Sequence, residues 1–191
     1  PFRLAAPGAH NAQNAAAALA AARWLGAPRA PLGTALEEFR GADRRLQVLH
    51  ESDGLVVVDD YAHHPTEVRA GIEALRSAYP GRRLVVVFQP HLYSRTRDQA
   101  TGFSEALARA DRGLVLPIYP AREAPIEGVT RDLILTAARR GLEALAPEDA
   151  VVLVHELREP SVLAFMGAGD VTELAHEAAR EAAGGSDALG G

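Results

Sequence analysis

Runs of apolar residues alternate with helical patterns along the chain after residue 54, and this alternation is the main structural signal in the sequence. The runs are LVVV at 55–58, LVVVF at 84–88 and LVLPI at 114–118. Each is followed by polar residues and then by apolar positions at helical spacing. Because the runs are apolar throughout, they are typical of parallel strands covered on both faces. The pattern predicts an α/β fold, with a mostly parallel sheet and helices on both faces.

Three helices are expected to follow these strands. The first has Pro65 at its first position and ends before YPG at 79–81. The second is expected to open at Thr96, which begins a capping-box motif. The third is predicted from near Thr130 to Gly141, where the glycine ends it.

Two apolar runs near the C-terminus lie too close together to be ordinary neighbouring strands. They are AVVLV at 150–154 and SVLAFM at 161–166. A parallel crossover normally needs about a dozen residues, so one run is expected to be an edge or antiparallel strand. GAGD at 167–170 is better explained as a tight strand-to-helix turn than as a dinucleotide fingerprint. A final helix of roughly a dozen residues and a flexible tail complete the chain.

The N-terminal segment has a different pattern. HNAQNAAAALAAARWLGAP predicts an Ala-rich helix, capped by Asn11 and ended by Gly26. A second short helix is predicted over PLGTALEEF. RRLQVLHESDGLVVVDD predicts a β-hairpin, since DG between two apolar runs is a strong turn signal. The two helices are expected to belong to a different domain from the strand and helix repeat.

Composition and charge exclude several classes of function. The chain has 191 residues, 48% of them hydrophobic, which is enough for one domain with a real core. The net charge is −5 and arginines are not clustered, so nucleic acid is not an expected partner. Without cysteine there is no thiolate metal site, and without lysine there is no P-loop of the form GxxxxGK[ST]. No apolar run reaches the length of a membrane span, so no membrane partner is expected.

Polar side chains follow each of the three predicted strands directly. They are Asp59, Asp60, Tyr61, His63 and His64 after the first, Gln89, His91, Ser94, Arg95 and Thr96 after the second, and Tyr119, Arg122 and Glu123 after the third. Ligands of open α/β sheets bind beyond the carboxyl ends of the strands. We therefore expect these groups to converge on one rim, as in an active site.

Each of these groups also has a structural interpretation. Asp60 could simply cap a turn. His63 and His64 could bind a divalent metal, but adjacent side chains diverge at a helix start and rarely reach one ion. Arg95 could hold a phosphate or carboxylate beside a helix N-terminus, or pair with Asp98 on the surface.

Six segments occur in the order in which one family carries its motifs. They are GAHNAQNAAAA, FRGADRRLQV, DDYAHHPTEV, FQPHLYSRT, IYPAREAPIEGV and MGAGD. Over residues 8–176 the chain resembles the Mur ligases, and among them those that join L-alanine to UDP-N-acetylmuramate. A muropeptide-recycling ligase, which attaches a tripeptide to the same sugar nucleotide, shares HHPT. Its counterparts of Tyr61 and of FQPHLYSRT usually differ, which favours the alanine-adding branch.

The resemblance implies a division into domains. Residues 1–43 would be the end of a central ATPase domain, 44–180 a C-terminal Rossmann-like domain, and 181–191 a flexible tail. The UDP-binding domain and the P-loop would then lie outside this chain, in keeping with the lack of lysine and of an initiator methionine. We therefore expect a fragment of a longer ligase that is inactive alone.

The resemblance also implies a reaction. ATP would phosphorylate the muramate carboxylate, and the amine of L-alanine would attack the acyl phosphate during peptidoglycan precursor synthesis in the cytoplasm. The expected ligands are ATP, L-alanine and UDP-N-acetylmuramate. Mg²⁺ is expected as a cofactor with its ligands mainly outside this chain, and no metal site is expected within it.

Individual residues receive roles from the same resemblance. The residues expected at the nucleotide are His10, Asn11 and Asn14 at the adenine, Arg45 at the ribose or phosphates, and Asp60 near the ribose. Those expected at the substrates are Tyr61 and His63 on the alanine side, with His91, Arg95 and Thr96 towards a carboxylate or phosphate. His63, His91 and Arg95 are the expected catalytic residues. His64 is assigned to structure, and Leu92 stands where some relatives have an arginine.

Two further interpretations remain open. The chain could be a nucleotide-binding or regulatory module that kept the scaffold and lost catalysis. It could also be a small metal-dependent hydrolase that uses His63, His64 and Asp60.

Overall fold

The structure, a computed structural model, describes residues 9–39, 42–138 and 141–187. Two helices come first, α1 (Ala9–Trp24) and α2 (Arg29–Glu38). The elements that follow are β1 (Gln47–Glu51), β2 (Leu55–Asp60), α3 (Pro65–Ala78), β3 (Arg83–Phe88), α4 (Tyr93–Leu107), β4 (Arg112–Val115), α5 (Asp132–Thr136), β5 (Glu143–Ala144), α6 (Leu153–Glu156), β6 (Ser161–Met166) and α7 (Val171–Asp187).

The strands form one six-stranded sheet in the order β1-β2-β6-β3-β4-β5. β1 is antiparallel to β2, and every other neighbouring pair is parallel. The predicted hairpin and the predicted mostly parallel α/β sheet are both confirmed.

Two apolar cores, one on each face of the sheet, explain why the strands are apolar throughout. Along β2, Val56 and Val58 face a core that also contains Ile72 of α3 and Phe103 of α4. The alternate residue Val57 faces a second core, built with α6 and α7. Successive side chains of a strand point to opposite faces, so a strand buried on both sides has no polar face.

The apolar run at 150–154 is not a strand, and that expectation was wrong. Pro147–Asp149 form a 3₁₀ turn, and α6 begins at Leu153. Only Ala150 and Leu153 are buried, at helical spacing, whereas Val152 is 48% exposed. β6 is neither an edge nor an antiparallel strand, because it lies in the middle of the sheet and pairs in parallel with β2 and β3.

Several predicted helix boundaries also need correction. Asn11 lies inside α1 and therefore does not cap it. Thr96 lies in the first turn of α4, which begins at Tyr93. α5 is shorter than predicted and buries only Ile134. α7 continues to Asp187, past residue 180 where a tail was expected, and Ala182 still packs on the second core.

Other boundaries are confirmed. α3 begins at Pro65 and ends before YPG. α1 ends before Gly26, which has φ +87°. The amide of Ala27 donates to the carbonyl of Ala22 (2.9 Å), and the amide of Gly26 donates to that of Arg23 (3.0 Å). This pair of bonds satisfies the last carbonyls of the helix, as in a Schellman motif.

Within the described residues, no helix combines the length and the apolar character needed to cross a membrane.

Two helical glycines should respond to alanine with opposite sign. A Cβ at Gly71 in α3 would lie 2.8 Å from Asp60 Oδ2 and 3.1 Å from Met166 Cε, whereas one at Gly184 in α7 would meet no described atom within 4 Å. Alanine stabilises a helix interior by ~1 kcal/mol relative to glycine. Urea unfolding should therefore show that Gly184→Ala raises the free energy of unfolding, and that Gly71→Ala lowers it by about 1–3 kcal/mol through crowding. Equal stabilisation by both would contradict the packing at Gly71.

Candidate active site

The three central strands end at the same level, and this brings the residues that follow them together. Met166 of β6 is in register with both Asp60 and Phe88. The pairing continues one residue further, since Gly167 N donates to the carbonyl of Asp60 (3.0 Å) and Gln89 N to that of Met166 (2.9 Å). The prediction that polar groups after the strands share one edge is confirmed.

Four rings at this edge form a series in which each ring contacts the next, and we call them the ring row: Tyr61, His63, His91 and Tyr119. The centroids of Tyr61 and His63 are 5.2 Å apart, and those of His63 and His91 are 6.2 Å apart. Tyr119 stacks on His91 at 5.8 Å with an interplanar angle of 21°. The row therefore combines side chains from the loops after β2, β3 and β4.

His91 is held by Arg95, which lies one helical turn later in α4. Arg95 Nη1 is 3.4 Å from His91 Nδ1. A guanidinium can only donate, so Nδ1 must accept and the ring proton resides on Nε2. Partial burial, followed by the charges of Arg95 and His63, lowers the pKa of His91, and Glu123 opposes this shift. His91 therefore presents a neutral N–H donor at neutral pH.

His63 has the opposite hydrogen-bonding character. Its Nδ1 is 2.9 Å from the carbonyl oxygen of Tyr61 and 3.4 Å from Glu67 Oε2. Both partners are acceptors, so Nδ1 carries a proton, and in the neutral ring Nε2 is then the acceptor. Glu67 Oε2 also accepts from the backbone N–H of His63 (2.9 Å), which fixes the residue at the start of α3.

The side chain of His64 caps the helix α3. It is the N-cap of α3, and its Nδ1 accepts from the backbone N–H of Thr66 (3.3 Å). This agrees with the structural role predicted for it. Among the residues that the structure describes, no group of three or more His, Cys, Asp or Glu side chains could hold a metal ion. The metal-hydrolase interpretation therefore finds no site in this part of the chain.

The side chain of Thr96, for which a substrate contact is predicted, is bonded to the turn that precedes α4. It is fully buried, and its hydroxyl donates to the carbonyl of Leu92 (2.8 Å). Leu92 has φ +71°, a conformation that non-glycine residues rarely adopt. Its N–H donates to the carbonyl of Tyr119 (3.0 Å). Thr96 and Tyr119 together hold the tight turn that separates His91 from Arg95.

A cleft of about 870 Å³ lies between the helical pair α1 and α2 on one side and residues of β2, α3 and the segment 42–46 on the other. Its lining is mostly apolar. The polar residues among those that line it are Asn11, Asn14, Arg45, Asp60, Thr66 and Glu67. Four of the five residues predicted for the nucleotide are thus brought together from separate segments. The fifth, His10, lies on α1, and its side chain is outside the described part of the structure. Their roles at a nucleotide remain predictions.

Asp60 is the most perturbed acid of the cleft. It is 5% exposed and packs against Gly71. Burial raises its pKa from 3.8 to about 7, with a further rise from the nearby Asp59 and Glu67. A hydrogen bond with the backbone of Ala62 and the charge of Arg45 lower the pKa but do not compensate. Asp60 can therefore exchange a proton near neutral pH.

The cleft and the ring row are contiguous. Glu67 lines the cleft and contacts His63. Arg45 also lines the cleft, and its guanidinium carbon lies 5.5 Å from the centroid of Tyr61. A ligand in the cleft and a second ligand at the ring row would therefore be close to each other.

Some residues of the site received no role from the sequence. Glu123 Oε2 accepts from the N–H of Ser94 (3.0 Å) and so places a carboxylate at the start of α4. Gln89 accepts from Val171 N (3.1 Å) and donates to Asp170 (2.6 Å). The sequence shows these residues after strands, but their partners are distant along the chain and no local pattern reveals them.

Most of the chain is similar to known proteins of one kind. Residues 44–169 match the family described as "Mur ligase, glutamate ligase domain". The UDP-N-acetylmuramate–L-alanine ligase of Streptomyces griseus is 48% identical over 178 residues, which cover 91% of this chain and 38% of the relative. The enzyme of the same name from an Arthrobacter species is 55% identical over 149 residues, covering 78% of this chain and 32% of the relative. The chain thus spans well under half the length of the curated relatives it matches.

Solved structures agree with the fold. The crystal structure of UDP-N-acetylmuramate-alanine ligase MurC from Thermotoga maritima superposes with a TM-score of 0.75 at 28% identity, covering 98% of this chain and 40% of that one. A murein peptide ligase from Psychrobacter arcticus has a TM-score of 0.66 at 24% identity, covering 96% of this chain and 38% of that one. The second comparison indicates a shared fold only.

Replacing Asp60 by asparagine should change how stability depends on pH. The folded chain keeps the proton of Asp60 between pH 3.8 and about 7, whereas the unfolded chain has lost it. The free energy of unfolding therefore falls as pH rises through this window, by ~4 kcal/mol at most. An asparagine side chain has no such proton to lose, so Asp60→Asn should gain stability relative to the wild type from pH 5 to pH 8. Urea unfolding at both values measures this, and a constant difference would contradict the raised pKa.

Proposed function

The chain belongs to the Mur ligase family, and we propose that it forms the nucleotide-facing and amino-acid-facing part of a ligase that joins L-alanine to UDP-N-acetylmuramate. The observation that carries this proposal is the contiguity of the cleft and the ring row through Arg45, Asp60 and Glu67. The name shared by the curated relatives supports the choice of substrates.

The proposed reaction has two steps. The terminal phosphoryl group of ATP is transferred to the muramate carboxylate, which gives an acyl phosphate and ADP. The amine of L-alanine then attacks the acyl carbon, loses a proton and expels phosphate, and an amide bond forms. Both steps depend on holding the reactants in position and on stabilising negative charge. We place the reaction in the cytoplasm, where ATP is available.

The cleft suits the adenine nucleotide. The amides of Asn11 and Asn14 can donate to and accept from the edge of a base, and the apolar lining can enclose its faces. Arg45 supplies a guanidinium suited to phosphate oxygens. Asp60 at the edge of the cleft can accept a hydrogen bond from a ribose hydroxyl when ionised and donate one when protonated.

The ring row suits the two ends of an amino acid. A carboxylate needs donors, which are Arg95 and the Nε2–H of His91. An ammonium group needs acceptors, which are Glu67 and the Nε2 of His63. The attacking amine must lose a proton, and in the neutral His63 ring, whose proton is held on Nδ1, Nε2 is the nitrogen able to take it. L-Alanine would therefore bind with its amine towards His63 and its carboxylate towards Arg95.

Magnesium is expected to accompany ATP in such a reaction. The described residues offer no group of three or more acidic or imidazole side chains that could hold a metal ion. We therefore assign no magnesium ligand to this part of the ligase.

Two arginines in the first turns of α4 provide a matched test in the full-length ligase. Arg95 is half-buried beside His91, whereas Arg97 is exposed and pairs with Asp98 (2.7 Å). Losing a charge-assisted bond to the substrate carboxylate costs ~2–4 kcal/mol, so Arg95→Ala should lower kcat/KM for L-alanine by about 30- to 800-fold. Arg97→Ala should stay within about twofold of wild type. The measurement is ADP release that depends on L-alanine, and equal losses in both variants would contradict the assignment.

In the same assay, the choice between L-alanine and a tripeptide as the substrate that supplies the amine separates the proposal from the open alternatives. The wild-type ligase should use UDP-N-acetylmuramate and L-alanine. Preference for a tripeptide over L-alanine would indicate the recycling ligase instead. Nucleotide binding without ADP release in the presence of L-alanine or of a tripeptide would indicate a non-catalytic module.

A further inference from the structure

Arg44 lies in the linker segment 42–46, which precedes β1, and this segment has a defined, unusual conformation. Arg44 and Leu46 have φ values of 57° and 50°, in the left-handed region that favours glycine. The N–H of Arg44 donates to Gln47 Oε1 (2.9 Å), and its carbonyl accepts from the N–H of Tyr61 (2.6 Å). The linker backbone is therefore bonded directly to the first residue of the ring row.

The guanidinium of Arg44 joins the linker to two other parts of the sheet edge. Its Nη2 donates to the carbonyls of Gly167 (2.8 Å) and Gly169 (3.2 Å) in the loop between β6 and α7. Its Nε lies 3.4 Å from Asp59 Oδ2 at the end of β2, and the same oxygen accepts from Thr172 (2.6 Å). We call Arg44, Asp59, Gly167, Gly169 and Thr172 the Arg44 clamp.

The clamp contacts both ends of the ring row. The guanidinium carbon of Arg44 lies 4.8 Å from the centroid of the Tyr61 ring. At the other end, Tyr119 lies directly on the backbone of Gly169, where a Cβ would come within 2.5 Å of Tyr119 Cγ. A shift of the loop held by Arg44 would therefore move the ring that stacks on His91.

The linker also borders the cleft. Ala42, Arg45 and Leu46 line it, whereas the side chain of Arg44 is directed to the clamp. Adjacent residues of one short segment thus contact the proposed nucleotide site and the proposed amino-acid site. This arrangement provides a physical connection between the two sites.

The clamp is not arranged for maximal stability. Among the described residues, Arg44 Nε and Asp59 Oδ1 are buried without a hydrogen-bond partner. Buried polar atoms without partners are costly, and an apolar pair of similar volume often stabilises a fold better than a buried ion pair. A charged clamp at this position therefore calls for a functional explanation.

We infer that Arg44 is a positioning residue that fixes Tyr61 and the loop beneath Tyr119, and so couples the linker at the nucleotide cleft to the geometry of the ring row. The expected effect of Arg44 on L-alanine binding rests on the proposed function. The expected effect of Arg44 on the positions of the rings rests only on the contacts described above. Without the clamp the fold should persist, but the rings that receive L-alanine should lose their fixed positions.

The kinetic experiment uses the full-length ligase. Arg44→Ala should raise the KM for L-alanine by ~10-fold or more, because an unfixed binding site loses affinity, and change the KM for ATP much less. Added guanidinium or ethylguanidinium should partly restore the KM for L-alanine. The control is Arg83→Ala, at the opposite end of β3, where Arg83 pairs with the exposed Glu159 (2.9 Å). A KM for L-alanine within about twofold of wild type in Arg44→Ala would overturn the inference.

A second readout does not need activity. In ¹³C-histidine-labelled ligase, the ring signals of His63 and His91 are assigned from His63→Gln and His91→Gln samples. Arg44→Lys keeps the charge but cannot reproduce the fork of bonds to Gly167, Gly169 and Asp59, so it should shift these signals, whereas Arg83→Lys should not. Unchanged signals in Arg44→Lys would overturn the inference. If the wild-type ligase showed no ligation, the proposed function would be wrong. The histidine ring signals would still test whether Arg44 positions the rings.

Discussion

The parallel pairing of β6 with both β2 and β3 is the constraint on which the site depends. Met166 is in register with Asp60 on one side and Phe88 on the other, so the chain leaves all three strands at one level. A slip of one residue would turn every strand side chain to the other face and disrupt both cores. The cores therefore set the register, and the register brings the ring row, the loop after β6 and Asp60 to one edge.

Unfavourable local features concentrate at that edge. Asp60 is an acid whose burial raises its pKa, Leu92 has a positive φ, and Arg44 and Asp59 each bury a polar atom without a hydrogen-bond partner among the described residues. The well-packed sheet below offsets these costs. Such features are typical of functional sites, where local preferences yield to the geometry that a ligand requires.

The sequence predicted most of the sheet because a doubly buried strand leaves an apolar run, and it predicted the shared edge because parallel strands end together. The segment 150–154 was misassigned because a short apolar run does not by itself distinguish a strand from a buried turn of helix. Thr96 was placed at a cap because the motif did not reveal that Leu92 occupies the N-cap position and that α4 begins at Tyr93. Arg44 was overlooked because the two glycine carbonyls that accept from its guanidinium follow it by more than a hundred residues. The proximity of Asn11 to Asp60 was expected from family resemblance, not from local physics.

The central claim is that residues of α1, of the segment 42–46 and of the β2–α3 region form one nucleotide cleft beside the ring row. Photolabelling of the full-length ligase with 8-azido-ATP, followed by peptide mass spectrometry, tests it most directly. The account predicts labelled peptides from α1 around Asn11 and Asn14 and from the linker at 42–46, both protected by excess ATP. Protected labelling confined to other parts of the protein would contradict it.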